Sequence, residues 1–208
     1  MAKTCIVAFA LLCLMLAALP AWADYNNGPI NGTVDAWTIN FGFVLSDSFV
    51  PDGNPVHGFE FGAWEFPGDT MLSVDWSITR DELGGGTLGS GTAVTTDRLI
   101  SVNQYGYNID EITVTGLDVE VTAGNHYWLN LGNAVMSSGD PVYWDENSGI
   151  GCSSPGCPSE ASASATGTLP TEAFTINNGE QPTPEPSTFM LFASGILGMA
   201  RLLRRKLF

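Results

Sequence analysis

Basic residues are nearly missing from the body of this 208-residue chain. Of the seven Lys and Arg, Lys3 lies at one end and Arg201, Arg204, Arg205 and Lys206 at the other. Only Arg80 and Arg98 remain between Asp24 and Glu185, the stretch that holds all 22 Asp and Glu, so this stretch carries a formal charge of −20. Nucleic acid and anionic membrane surfaces require basic contacts, which excludes both as partners of the body. Histidine is as scarce: His57 and His126 are the only two, and no further ligands at characteristic zinc spacing accompany them. No Gly-x-Ser-x-Gly elbow marks a hydrolase. Carboxylates are too numerous here for a glycosidase pair to be read from their presence. The chain is therefore expected to be non-enzymatic and to need no organic cofactor. Long apolar runs are lacking too, as are internal repeats, which sets aside a solenoid.

The apolar runs that do exist sit at the ends. Behind Lys3, Cys5–Ala18 forms a 14-residue apolar stretch, Pro20 breaks it, and Ala21-Trp22-Ala23 offers a small-x-small cleavage site before Asp24. Fourteen residues fall short of the roughly 20 that span a bilayer, so residues 1–23 read as a signal peptide, with signal peptidase as the processing partner. At the other end Pro184-Glu185-Pro186 leads into the apolar segment Phe189–Leu203, which contains Arg201, and then into Arg204, Arg205 and Lys206. Fifteen helical residues rise only about 22 Å against a hydrocarbon core near 30 Å. With the body exported, the basic cluster stays inside. So marginal a segment suits a transient stop better than a permanent anchor.

Pro-Glu-Pro, a short apolar helix and a terminal basic cluster, in that order at the C-terminus, resemble the PEP-CTERM sorting signal. The resemblance implies an exosortase-like partner that recognises Pro184, Glu185 and Pro186 and removes the tail near them. It further implies a chain held briefly at the membrane and then delivered to the cell surface or outside it, beside exopolysaccharide. It covers only about the last 25 residues. The stretches Trp37–Phe41 and Val142–Ser148 also look like segments of uncharacterised exported bodies that carry such tails, a likeness that implies no activity.

The whole chain is 44% hydrophobic, with six Trp and eleven Phe, which argues for a folded core between the ends, where no window long enough for a helix keeps a 3.6-residue apolar period. Short alternating runs recur instead: Val34–Ile39, Phe41–Leu45, Gly58–Phe66, Met71–Ile78, Arg98–Val102, Ile112–Val114, Leu117–Val121, Tyr127–Leu131 and Ala173–Ile176. Turn clusters such as Pro51–Pro55 and Gly84–Gly86 separate them. Nine or ten strands predict an all-β, antiparallel sandwich or jelly roll over 24–176, with Asp75, Asp118 and Glu120 on solvent faces. The low-complexity stretch Ser159–Gly167 reads as a loop, 177–188 as a Pro-rich linker, and 189–208 as the sorting helix with its basic tail.

Two features bear on chemistry. Cys152 and Cys157 are the only cysteines left after signal cleavage, and in an oxidising compartment they are expected to pair across Pro155-Gly156. Sugar sites combine aromatic faces with Asp and Asn acceptors. Tyr143, Trp144, Asp145 and Asn147 supply that mixture and make a speculative glycan or calcium site, with Trp128, Tyr105 and Tyr107 as further aromatics. The metal question is open at this point, with Ca2+ the one ion weighed. The function expected is a matrix or biofilm component, and the alternative is a lectin-like, calcium-assisted module that binds exopolysaccharide.

Overall fold

Alternation of side chains carries most of the body into strands. In the computed structural model residues 24–178 are described, apart from Asn54, Ser148, Ile150 and Ser153. The signal segment with Ala21 and Ala23, and the chain from residue 179 with Pro184, Glu185, Pro186, Arg201, Arg204, Arg205 and Lys206, lie outside the described residues. So do the helices expected at the two ends.

Thirteen strands are found among the described residues and no helix. They are β1 (Tyr25–Asn26), β2 (Asp35–Thr38), β3 (Val44–Phe49), β4 (Val56–Glu65), β5 (Met71–Thr79), β6 (Gly89–Val94) and β7 (Thr96–Val102). Then come β8 (Asn108–Val119), β9 (Tyr127–Met136), β10 (Tyr143–Glu146), β11 (Ala161–Ala163), β12 (Gly167–Leu169) and β13 (Phe174–Asn177). All pairings are antiparallel, as an all-β sandwich requires.

The first sheet is built on β4. Strand β8 takes one edge of β4 along its length and carries β7 outside it. The other edge is shared end to end by β13, opposite Gly58–Phe61, and β10, opposite Ala63–Trp64. Beyond these lie β1 and β2 respectively. The second sheet runs β12-β11-β3-β9-β5-β6. Chain crosses between the sheets at Thr95, which separates β6 from β7 and whose hydroxyl donates to the Met71 carbonyl at 2.6 Å. The inner faces interdigitate Phe59, Phe61, Ile112, Trp144 and Phe174 from one sheet with Leu45, Phe49, Ile78, Leu129 and Leu131 from the other, all buried. Each such side chain contributes about 1.5–3 kcal/mol through lost contact with water.

Several sequence expectations change in detail. The runs Ile112–Val114 and Leu117–Val121 belong chiefly to one long strand, β8. Phe41 is not in a strand: it turns at φ 56° before β3 begins. The stretch Ser159–Gly167 is not a loop but supplies β11 and the start of β12, docked on Leu45–Asp47 of β3. The domain also runs past 176. Asn177 lies in β13, and buried Asn178 donates to the Gly53 carbonyl at 2.8 Å, so the sandwich extends at least to Asn178.

Candidate functional site

Strand β10 sends the proposed glycan residues to opposite sides, and the structure disperses the set. Trp144 is 0% exposed, wedged edge-on against Phe61 and Phe174 (centroids 5.9 and 5.7 Å), with its indole N–H donating to the Ala173 carbonyl at 3.0 Å. Asp145 points the other way but is buried beneath the segment 28–32. Its carboxylate accepts the Asn31 N–H at 2.8 Å, the Gly32 N–H at 3.0 Å and the Trp64 indole N–H at 2.6 Å. Gly62 allows that cover, because a Cβ there would come within 2.7 Å of Ile30 and 2.8 Å of the Asp145 Cβ. Asn147 is buried as well; it donates to the Asn27 carbonyl at 2.6 Å and accepts the Gly149 N–H at 2.8 Å. Trp128 is buried against His126. Core and backbone use up Trp144, Asp145 and Asn147, and of the four only Tyr143 keeps a partly exposed face.

What the fold assembles instead is a continuous aromatic platform on the outer face of the first sheet. Tyr143 and Trp64 are cross-strand partners, so their rings share that face. Tyr107 lies edge-on to Tyr143 at 5.9 Å, 4.9 Å from Phe66 and 5.9 Å from Trp64, and Tyr105 stacks on Trp64 at 5.9 Å. Separations of 4.5–7 Å are those at which aromatic pairs attract. Tyr105 and Tyr107 are held by the β7–β8 turn. The Asn103 side-chain oxygen accepts both of their N–H groups at 3.0 Å, and Gly106 turns at φ 86°. Trp64, only 6% exposed, is the fixed base, its ring oriented by Asp145. Tyr105 is 64% exposed and forms the outer lip. Burial, then the neighbouring Tyr107 hydroxyl, holds the Tyr143 hydroxyl above its ordinary pKa. Tyr105 and Tyr107 were legible as aromatics in the sequence, but Trp64 and Phe66 read there only as strand residues. On the same outer face a hollow of about 230 Å³ is lined by Glu60, Ile100, Glu111 and Thr175, among others.

Two groups of carboxylates lie on inner faces. Glu65, Asp97 and Asp110 occupy the end of the first sheet near Met71. Burial foremost, then the neighbouring acids, pushes Glu65 up to about 8 and Asp110 up to about 6, and raises Asp97. Elsewhere Asp47 of β3 faces Glu172, which precedes β13. Burial pushes Asp47 up to about 7 and raises Glu172 well above the usual carboxylate range. No three His, Cys, Asp or Glu side chains converge on one point among the described residues. Cys152 and Cys157 are joined as a disulfide with Cα atoms 5.9 Å apart, closing the loop that packs Ser154 against the Asn26 N–H at 2.8 Å.

The profile of the PEP-CTERM protein-sorting motif matches residues 182–206, which include Pro184, Glu185, Pro186 and the cluster Arg201, Arg204, Arg205 and Lys206. The motif marks an exported protein that is processed by an exosortase. No curated protein matches the sequence.

Proposed function

We propose that this exported, exosortase-processed chain is a non-enzymatic component of an extracellular polysaccharide matrix, and that it holds glycan on its tyrosine platform. The observation that carries the reading is the row of linked rings Phe66, Tyr107, Tyr143, Trp64 and Tyr105, fixed from below and open on one side. Rigid aromatic rings offer apolar area at little entropic cost, and tyrosine adds a hydroxyl at the rim. A sugar ring presents one face of C–H groups to such a surface and its hydroxyls to the side. The strongly acidic body favours neutral chains over anionic ones. The unpartnered buried acids lie between the sheets, and the one buried beneath the platform, Asp145, is held by the Asn31, Gly32 and Trp64 N–H groups, which supports binding without turnover.

Affinity electrophoresis of the full chain in gels containing neutral polysaccharides tests the reading. Retardation is expected and should fall about tenfold or more in Tyr105→Ala/Tyr107→Ala, since an anchoring aromatic is worth about 1.4 kcal/mol or more. Val94→Ser, at an 84% exposed site of the second sheet, should leave it unchanged. A chain that migrates alike in every polysaccharide gel, or a double variant retained like the parent, rules the platform out.

A further inference from the structure

The pair Asp47–Glu172 is unusual for a buried contact, because both partners are acids. Asp47 alternates inward with Leu45 and Phe49 along β3, and Glu172 lies two residues before inward-facing Phe174. The two carboxylates therefore meet from opposite sheets, and each residue is 0% exposed. One Asp47 oxygen is used: it accepts the Glu172 N–H at 2.6 Å. Its other oxygen and both Glu172 side-chain oxygens are buried without a hydrogen-bond partner among the described residues. No ion pair to either acid is found there, and the Arg98 guanidinium is held by Glu111 at 2.7 Å. Two uncompensated buried charges cost several kcal/mol each.

The surroundings are rich in neutral oxygen. The Thr171 hydroxyl lies 3.4 Å from the bonded Asp47 oxygen and touches the Ser159 hydroxyl. The Asn27 amide nitrogen, with two N–H groups, faces the Ser159 hydroxyl (2.6 Å), the Thr171 hydroxyl, the Glu172 carbonyl (2.6 Å) and Asp47 (3.5 Å). One proton shared between the two carboxyls would serve two of the three orphaned oxygens and leave the third oxygen and one charge uncompensated. A divalent cation would serve all three and neutralise both charges. Oxygen-only donors without imidazole or thiolate select a hard ion, and the mixture of carboxylate with neutral oxygens is what calcium accepts.

We propose that Asp47 and Glu172, with the Thr171 and Ser159 hydroxyls, form a calcium site that ties β3 of one sheet to the entry of β13 in the other. With two charged ligands the affinity belongs at the weak end, a Kd on the order of 10⁻⁴–10⁻³ M, the range of extracellular modules. The buried acid group around Glu65 leaves Asp97 Oδ1 and both Glu65 oxygens without partners in the same way. It differs in its neutral donors: among the described residues no Ser or Thr hydroxyl bonds to Glu65, Asp97 or Asp110 as the Thr171 hydroxyl does to Asp47.

Full chain purified from an exporting host, stripped with chelator and dialysed against millimolar calcium, is assayed for bound metal by mass spectrometry and for thermal unfolding. One calcium per chain is expected, with Tm about 1–4 °C higher than in chelator. Both effects should vanish in Asp47→Asn/Glu172→Gln and persist in Glu65→Gln. Should the double variant fail to fold, Thr171→Val carries the test, with calcium affinity by calorimetry about threefold weaker or more. The proposal is overturned if the parent binds no calcium, if binding survives the double variant or is unchanged in Thr171→Val, or if Glu65→Gln abolishes it.

Discussion

Glu65 closes β4 on its inner face, two residues past Ala63, with Asp110 on the adjoining strand, Asp97 on the strand beyond and Asp69 in the turn that follows. No salt bridge reaches any of them among the described residues, since Arg98 belongs to the opposite face with Glu111. Both Glu65 oxygens are buried and without partners. Burial first, and repulsion from Asp97, Asp110 and Asp69 second, raises its pKa from 4.5 to about 8. Asp69 goes the other way: burial works against ionisation, but hydrogen bonds from Ser137, Ser138 and Thr70 outweigh it. The linkage sign follows from the raised value. Between about pH 4.5 and about 8 the folded chain keeps a proton on Glu65 that the unfolded chain has lost, so stability declines as pH rises through that window. Asp110, raised to about 6, adds to the same slope at its acidic end. Tm in chelator should be highest near about pH 5 and lower at about pH 8, and Glu65→Gln should raise it at the alkaline end and flatten the profile. A melting profile that climbs from pH 5 to 8, or a glutamine variant less stable at pH 8, would contradict this account.

Among the elements, those with apolar alternation were the legible ones. The runs in β4, β5 and β9 announce themselves through Phe59, Phe61, Val74, Ile78, Leu129 and Leu131, all buried at period two. The pair β11 and β12 carries almost no such signal. Ala161, Ser162 and Ala163 have weak strand preference, and pairing to Leu45–Asp47 supplies what local sequence does not. Strand β10 hid for a different reason. Its Tyr-Trp-Asp-Glu reads as a polar-aromatic binding set, and only pairing on both edges, with β2 and β4, shows that Trp144 goes to the core and Asp145 to a backbone clamp. The aromatic platform needs rings from β4, β10 and the β7–β8 turn, a convergence set by register rather than by neighbouring residues. The disulfide, by contrast, was readable from composition and compartment. Its loop lies beside Asn26 and Asn27, at the sandwich end where β1 starts. Closing so short a loop limits the unfolded chain by about 2 kcal/mol, which at this size corresponds to roughly 5 °C in Tm. Cys152→Ser/Cys157→Ser should melt lower by about that amount with the two-state transition retained; an unchanged Tm would show that the loop contributes nothing to stability.

For the molecule as a whole, the two ends of the domain leave it together. Tyr25 pairs with Ile176, and the Asn178 N–H donates to the Asp24 carboxylate at 3.2 Å. From Asn178 to Pro184 the chain has six further residues, a reach of about 20 Å when fully extended. The Pro184-Glu185-Pro186 segment therefore follows the sandwich within that reach. Address and cargo are separable on this geometry, because the last buried contact of the sandwich among the described residues is made at Asn178, before the matched motif begins at residue 182. Replacing Pro184, Glu185 and Pro186 with alanine should leave Tm untouched while blocking removal of the tail in a host that carries exosortase. Intact mass of the product measures this directly: the parent should lose the segment that holds Arg201, Arg204, Arg205 and Lys206, and the variant should keep it and stay with the membrane fraction. A variant shortened like the parent would mean that the Pro-Glu-Pro segment is not what the enzyme reads. A variant with a lowered Tm would mean instead that address and domain are coupled.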